Sequence, residues 1–258
     1  MPPHPAEPAE PAEPAEPAEP AEPAEPAEPA EPAEPAVLPV ALHPFAGLRL
    51  SVAAPDGGRV ELRTGELGAL AELAELAARG VHAPDAMPFA VPWTRCEPAE
   101  RARRTLRWHL LGWASWTPQE WRLDFVVRRD GRVVGTQSLE SSGFPLLREV
   151  VTGSWLGLEH QGRGTGRLMR AAVLHLAFTG LGALTARSEA FVDNPASLAV
   201  SRGLGYRDDG RSRAVREGRA VEQQRLRLDA ADWAARPRPD VHVEGLEAVR
   251  AALLPAAP

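Results

Sequence analysis

Gln161-Gly162-Arg163-Gly164-Thr165-Gly166 separates two differently patterned segments. Before it runs the apolar stretch Ser154-Trp155-Leu156-Gly157-Leu158. After it comes a helical pattern, Arg167-Leu168-Met169-Arg170-Ala171-Ala172-Val173-Leu174-His175-Leu176. A glycine-rich turn between a strand and a helix presents backbone N–H groups to an anion, and the helix dipole adds partial positive charge at the same point. Glycines let the main chain bend tightly and expose those amides. The stretch is therefore a candidate phosphate cradle. It lacks the Lys-Ser/Thr that ends a P-loop. Its glycines, at 162, 164 and 166, do not have the Gly-x-Gly-x-x-Gly spacing of a dinucleotide fold.

Upstream, Leu48–Val52 reads as a strand, Asp56-Gly57-Gly58 as its turn, and Val60–Arg63 as the strand that pairs back or continues it. Residues 66–79 form a helix with Leu67, Leu70, Leu73 and Leu76 at three-residue spacing, closed by Gly80. Asp85–Trp93 is apolar yet broken by prolines, so it predicts a packed loop. A second helix spans about 98–116, with Leu106, His109, Leu110 and Trp113 as its apolar positions. Five of the seven tryptophans fall between Trp93 and Trp121. Most of these are expected in the core, and some in an acceptor wall.

Three strands are expected next: Trp121–Val127, then Val133–Glu140 across an Asp130-Gly131 hairpin turn, then Glu149–Leu156. Downstream of the glycine loop, the helix is expected to run to about Phe178. Ala183–Phe191 is a strand. Asn194-Pro195 caps and starts a short helix, which Gly203 and Gly205 end. Two strands follow, one beginning at Tyr206 and one at Val221–Leu228. The order predicts a mixed α/β (α+β) domain with a central, mainly antiparallel sheet and flanking helices, not a doubly wound nucleotide fold.

The N-terminal residues 1–36 have a different character. Pro5–Glu34 is Pro-Ala-Glu repeated ten times. It holds no apolar side chain larger than alanine and a proline at every third position, so it predicts a disordered acidic tail. As an extended polyproline-type chain it would reach on the order of 90 Å. A solvated spacer and a docking tail for a basic partner are the two readings. The whole chain has net charge −6, but the ten tail glutamates leave 25 acidic residues against 29 basic ones elsewhere. A mildly basic domain suits a polyanionic small ligand and lacks the dense basic stripe of a nucleic-acid binder. With Cys96 as the single cysteine, neither an internal disulfide nor a cysteine-based zinc cluster is available. No metal-ligand cluster is visible among the histidines. No apolar run spans a membrane and no signal-peptide pattern opens the sequence, so a cytoplasmic location is expected. The divisions expected are the tail at 1–36, the main domain at 37–233, and a C-terminal extension at 234–258 with a short helical piece over Val243–Leu254.

Taken together, the motifs resemble the GNAT acyltransferases over about residues 46–233. Gln161, Gly164 and Gly166 match the family's Gln/Arg-x-x-Gly-x-Gly/Ala donor motif. Asn194, Ser197, Gly205 and Tyr206 match its Asn-x-x-Ala/Ser … Gly-Phe/Tyr segment. Gly153-Ser154-Trp155-Leu156 and Glu222–Leu228 are similar to the branch that includes ribosomal-protein N-acetyltransferases. Met87-Pro88-Phe89 and Thr152–Gly157 are similar to an actinobacterial subgroup in which some members accept succinyl-CoA.

The resemblance implies direct acyl transfer from acetyl-CoA, or succinyl-CoA, to an amine: a protein N-terminus, a lysine or a small molecule. It also leaves room for a homodimer. It places the pyrophosphate on Gln161, Gly162, Arg163, Gly164, Thr165 and Gly166. The pantetheine would lie against the main chain at Leu156 and Leu158 and against Asn194. Backbone N–H near Leu156 would polarise the thioester carbonyl. Ser201 stands where many members carry a tyrosine acid, so Ser201 is the candidate acid or proton relay. Glu140, Glu149, Glu189 and His160 are candidate bases, and Glu140 is preferred because it falls near a strand end beside the expected acceptor cleft. The runner-up reading is a catalytically weak acyl-CoA-binding module whose tail docks a partner.

Overall fold

A computed structural model describes residues 43–254; the Pro-Ala-Glu tail expected over 1–36 lies outside the described residues. Among the described residues nine strands form one sheet. In chain order they are β1 (Arg49–Ala53), β2 (Arg59–Arg63), β3 (Glu120–Arg129), β4 (Arg132–Ser142), β5 (Glu149–Leu156), β6 (Thr185–Phe191), β7 (Arg207–Arg216), β8 (Arg219–Asp229) and β9 (Val241–Glu244). Their spatial order is β7-β8-β6-β5-β4-β3-β2-β1-β9. Every neighbouring pair is antiparallel except β5 and β6, which are parallel. A parallel pair needs a crossover, and here it is the glycine loop followed by a helix.

The helices are α1 (Leu67–Arg79), α2 (Pro98–Ala114), α3 (Phe144–Leu147), α4 (Thr165–His175), α5 (Pro195–Gly203), α6 (Ala230–Ala234) and α7 (Leu246–Leu253). Alternation along the strands divides the sheet into two faces. Leu123, Phe125, Leu139, Val150 and Ala186 join Met169, Val173 and Leu174 of α4 in the larger apolar cluster. On the other face Val126 and Val133 pack against Leu70, Leu73 and Leu76 of α1, with Trp113 and Trp155 beside them.

Three local expectations need correction. The buried residues of α2 are Thr105, His109 and Gly112, whereas Leu106 and Leu110 are exposed. The helix is turned so that it covers a charged pair on β3: Arg122 Nε donates to Asp124 Oδ2 at 2.5 Å. A Cβ on Gly112 would lie 2.8 Å from both Arg122 Nη2 and Asp124 Oδ2, so a larger residue would push the ends of this pair aside. Second, the helix after the glycine loop stops being regular at His175 and ends in a π-helical turn over Leu176–Gly180. Third, the C-terminal piece begins as strand β9, which pairs with β1 from Arg49↔Glu244 to Val52↔Val241; its helix starts only at Leu246.

Candidate active site

The parallel pair β5–β6 holds together over three rungs, Glu149↔Thr185, Val150↔Ala186 and Val151↔Arg187. Beyond Val151 β5 stays paired with β4 as far as Leu156↔Gly135, but it parts from β6. A slot opens between them. Gly157 N–H donates to Val134 O on β4 at 3.0 Å. Alternate amides of a strand point to opposite neighbours, so those of Leu156 and Ser154 point into the slot. An added extended chain would bond there as a strand does.

The glycine loop stands at the mouth of this slot. Gly162 and Gly164 have φ of +74° and +77°, the left-handed region that costs other residues about 1–2 kcal/mol. Among the described residues the N–H groups of Gly162, Arg163, Gly164, Thr165 and Gly166 donate to no protein acceptor, and they lead into the first turn of α4. Consecutive free amides at a helix N-terminus suit an anion.

Two side chains fix the loop. Arg129 Nη1 donates to Arg163 O and to Thr165 Oγ1, each at 2.8 Å, while its Nη2 pairs with Asp56. Gln161 Nε2 donates to Val81 O at 2.7 Å and Leu156 O at 3.0 Å. Gln161 therefore ties the loop back to β5 and to the end of α1. Beside α4 an open cavity of about 680 Å³ is lined by Arg129, Arg163, Arg167, Arg236 and Arg238, against the single acid Asp56. Its field favours a multiply charged anion.

The remaining sequence candidates fall as follows. Leu156 is half-buried at the end of β5, and Leu158 is exposed in a short 3-10 turn over Leu158–His160. Asn194 caps α5, its Oδ1 accepting from Ser197 N–H at 3.2 Å. Ser201 is 0% exposed, and its Oγ accepts from Arg170 Nη1 at 2.9 Å. Glu140 lies opposite Val151, on the rung where β5 and β6 part, and opposite Arg122 on its other side. Its neighbour Leu139 faces α4 within the core, so Glu140 faces the other way. Ser201 and Glu140 thus occupy opposite faces of the sheet near the vertex of the slot. Burial raises the Glu140 carboxyl above its ordinary value; Asp124 adds to the rise and Arg122 opposes it. His160 is lowered, chiefly by burial, and Glu149 is paired with Arg187 at 2.9 Å. Among the described residues no group of three or more His, Cys, Asp or Glu is placed to hold a metal, and no helix is long and apolar enough to cross a membrane.

The proline-broken loop packs over the α1/α2 side of the slot. Phe89, Trp93 and Trp155 form a chain of ring contacts at 5.3 and 5.8 Å. Arg216 of β7 holds the loop from beyond, donating to Met87 O at 3.2 Å and to Asp193 at 2.6 and 2.9 Å. Arg95 pairs with Glu217 at 2.8 Å. Trp121 is instead in the core against Phe144, and Trp108 is exposed with Arg122 over its ring.

A mixed sheet parted at one parallel pair, with a free-amide loop and helix at the opening, is the architecture of the acyl-CoA-dependent acetyltransferases. Residues 59–207 match the family described as "Acetyltransferase (GNAT) domain", and the chain belongs to that family. Solved structures with the same fold include Mycobacterium smegmatis RimJ in complex with CoA-disulfide. It has a TM-score of 0.58 and 16% identity, covering 81% of this chain and 96% of that one. RimL, a ribosomal L7/L12 alpha-N-protein acetyltransferase solved with coenzyme A, has a TM-score of 0.52 and 18% identity, covering 66% and 93%. A chimera of the spermidine N-acetyltransferase SpeG from Vibrio cholerae and hSSAT has a TM-score of 0.54 and 18% identity, covering 69% and 99%. At such identities the likeness speaks for the fold.

One buried residue escaped the sequence reading. Arg170 of α4 is 4% exposed and donates to hydroxyls on three other elements. The available signal was periodicity: Arg170 shares a stripe with Val173, Leu174 and Ala177, all buried.

Proposed function

We propose that this protein transfers an acetyl group from acetyl-CoA directly to an amine. Succinyl is the alternative acyl group. The observation that carries the reading is the parting of β5 from β6 beyond Val151, with the slot-facing amides of Ser154 and Leu156 and the free amides of 162–166 at its mouth. The loop amides, with Arg163 and Arg167, hold the pyrophosphate. The pantetheine lies against the end of β5 at Leu156 and the turn at Leu158, with Asn194 beside it. The Leu156 N–H meets the developing oxyanion, a contact that strengthens as charge moves onto the carbonyl oxygen.

The amine approaches from the side covered by the Met87–Trp93 loop. Glu140 is the base, acting directly or through water, and its raised pKa suits that task. Ser201 enters the proton path only through Arg170, because its hydroxyl is fully enclosed. The acceptor class follows RimL, named for a protein N-terminus, and SpeG, named for spermidine. We assign residues 1–36 to a tail, 37–233 to the acyltransferase domain and 234–258 to an extension whose β9 and α7 complete that domain's sheet and core, and we place the protein in the cytoplasm. Free-thiol release from acetyl-CoA and succinyl-CoA with a panel of N-terminal peptides, lysine peptides and polyamines tests the reading. Turnover with at least one pair supports it. Tight CoA binding without turnover for any amine would favour the alternative, a binding module, which the enclosure of Ser201 independently supports.

A further inference from the structure

Arg170 carries a charge that the fold leaves uncompensated. Its Nη1 donates to Ser188 Oγ at 3.1 Å and Ser201 Oγ at 2.9 Å, and its Nη2 to Ser154 Oγ at 2.9 Å. Its Nε has no partner, and among the described residues its side-chain hydrogen bonds go to serine hydroxyls and to no carboxylate. A buried cation surrounded only by neutral hydroxyls is unfavourable unless an anion joins it. Its place is informative. Ser154 lies on β5 and Ser188 on β6, both past the last shared rung, Val151↔Arg187. The guanidinium bridges the two strands at the vertex where they separate. Ser188 and Ser201 are buried, while Ser154 is half-buried. Each serine oxygen accepts from Arg170, which leaves its own O–H to donate. Ser154 is the one of the three that a ligand in the slot can reach.

In acyl transfer from a thioester the sulfur gathers negative charge as the C–S bond breaks, and it leaves as a thiolate when no acid protonates it in the same step. The amine lone pair forms the new N–C bond, the C–S electron pair leaves on sulfur, and the nitrogen's surplus proton goes to the base. Resting on the donor-site reading above, we propose that Ser154 and Arg170 form the seat of the released thiolate: the Ser154 hydroxyl donates to sulfur, and Arg170 positions that hydroxyl and supplies the balancing charge. Ser154 is then a catalytic residue and Arg170 a positioning residue. The pair takes over the work of a phenol, which position 201 lacks. Tyr206, the tyrosine packed near Arg170, is held protonated by burial and bonds Thr152 at 3.3 Å. Arg187 and Glu189 of β6 alternate to the opposite face from Ser188.

The test compares CoA with acetyl-CoA, because only CoA has a sulfur that ionises; their phosphates titrate alike and cancel. Affinities of the full chain for both ligands are measured by calorimetry from about pH 6 to pH 9. The expected result is a CoA to acetyl-CoA affinity ratio that rises with pH, by up to about tenfold per unit. Arg170→Met should flatten the rise, Arg170→Lys should retain part of it, and Ser154→Ala should reduce it. A flat ratio in the wild type, with both ligands bound, overturns the proposal and leaves the donor site standing. A rise that survives in folded Arg170→Met also overturns it. A flat ratio with a preference for succinyl-CoA over butyryl-CoA, lost in Arg170→Met, would reassign the guanidinium to an acyl carboxylate and overturn the thiolate seat. Failure of both ligands to bind would remove the donor site and this proposal together.

Discussion

Glu140 sits on the rung where the slot opens, and its environment sets the sign of two effects. Burial is the largest influence on it and favours the neutral acid. Below the pKa of the unfolded chain both states are protonated and the residue costs nothing. As pH rises through the higher folded pKa, the fold must hold a buried charge, and stability falls. Glu140→Gln should therefore raise the melting temperature at neutral pH, with the gain shrinking toward zero in acid. Thermal denaturation across pH reads this directly; an equal gain at all pH values would show that titration is not its cause. If Glu140 is the base, the same change should lower amide formation by about 10²- to 10⁴-fold with little effect on CoA affinity. Single residues were the least legible part of the sequence. Among the four acid–base candidates Glu140 is distinguished by its position near a strand end, and the register pairs it with Val151 at the vertex. Arg170 carries no such mark, because a charged residue within a helical pattern reads as solvated until packing reveals which stripe it occupies.

The loop and helix α4 act as one unit, and two glycines in it test different properties. Gly164 has φ +77°, so any other residue is strained there whatever the ligand does. Gly166 is different. Its backbone is ordinary, and the nearest atoms to an added Cβ are Val200 Cγ2 at 3.8 Å and Leu156 Cδ1 at 3.9 Å. Gly166→Glu also puts an acid in the first helical turn, where the dipole favours it. The fold should keep or slightly gain stability, while CoA affinity should drop by more than about tenfold as the carboxylate competes with phosphate for the same amides. Unchanged CoA affinity in folded protein would sink the pyrophosphate assignment. Arg129→Met probes the same unit from outside, since it removes the tie from the β3–β4 end to Arg163 O and Thr165 Oγ1. CoA affinity should fall while the hairpin itself persists. Elements of this kind were largely readable in advance. Glycines, the Asp130-Gly131 turn and the Asn194 cap each carry a local physical signal. The rotation of α2 carried none, because it answers to Arg122 and Asp124 on a strand that lies beside it only after folding. Strand β9 was equally silent: four residues long, it is defined by its pairing with β1.

The two ends of the chain should respond to truncation in opposite ways. The repeat Pro5–Glu34, which makes up most of residues 1–36, has no apolar side chain beyond alanine to bury on folding, and it carries ten of the chain's acidic residues. Deleting residues 1–36 should leave the melting temperature nearly unchanged, and should strengthen rather than weaken binding of a polyanionic donor at low salt, because repulsion by the tail is removed. Among the described residues of the C-terminal segment, three side chains belong to the core. Val241 of β9 is 6% exposed, and Val249 and Leu253 of α7 are both 0% exposed. Arg250 Nη1 donates to Gly180 O at 2.7 Å, tying α7 to the end of the crossover that leads into β6. Burying three such apolar side chains contributes roughly 5–9 kcal/mol at about 1.5–3 kcal/mol each. That is comparable with the whole net stability of a typical domain, about 5–15 kcal/mol. Removing residues 241–258 also bares the edge of β1, which then offers unpaired N–H and C=O groups to other chains. A chain ending at Asp240 should therefore be recovered unfolded or aggregated. If it instead melted cooperatively at the full-length temperature, β9 and α7 would be dispensable additions to an already complete sheet.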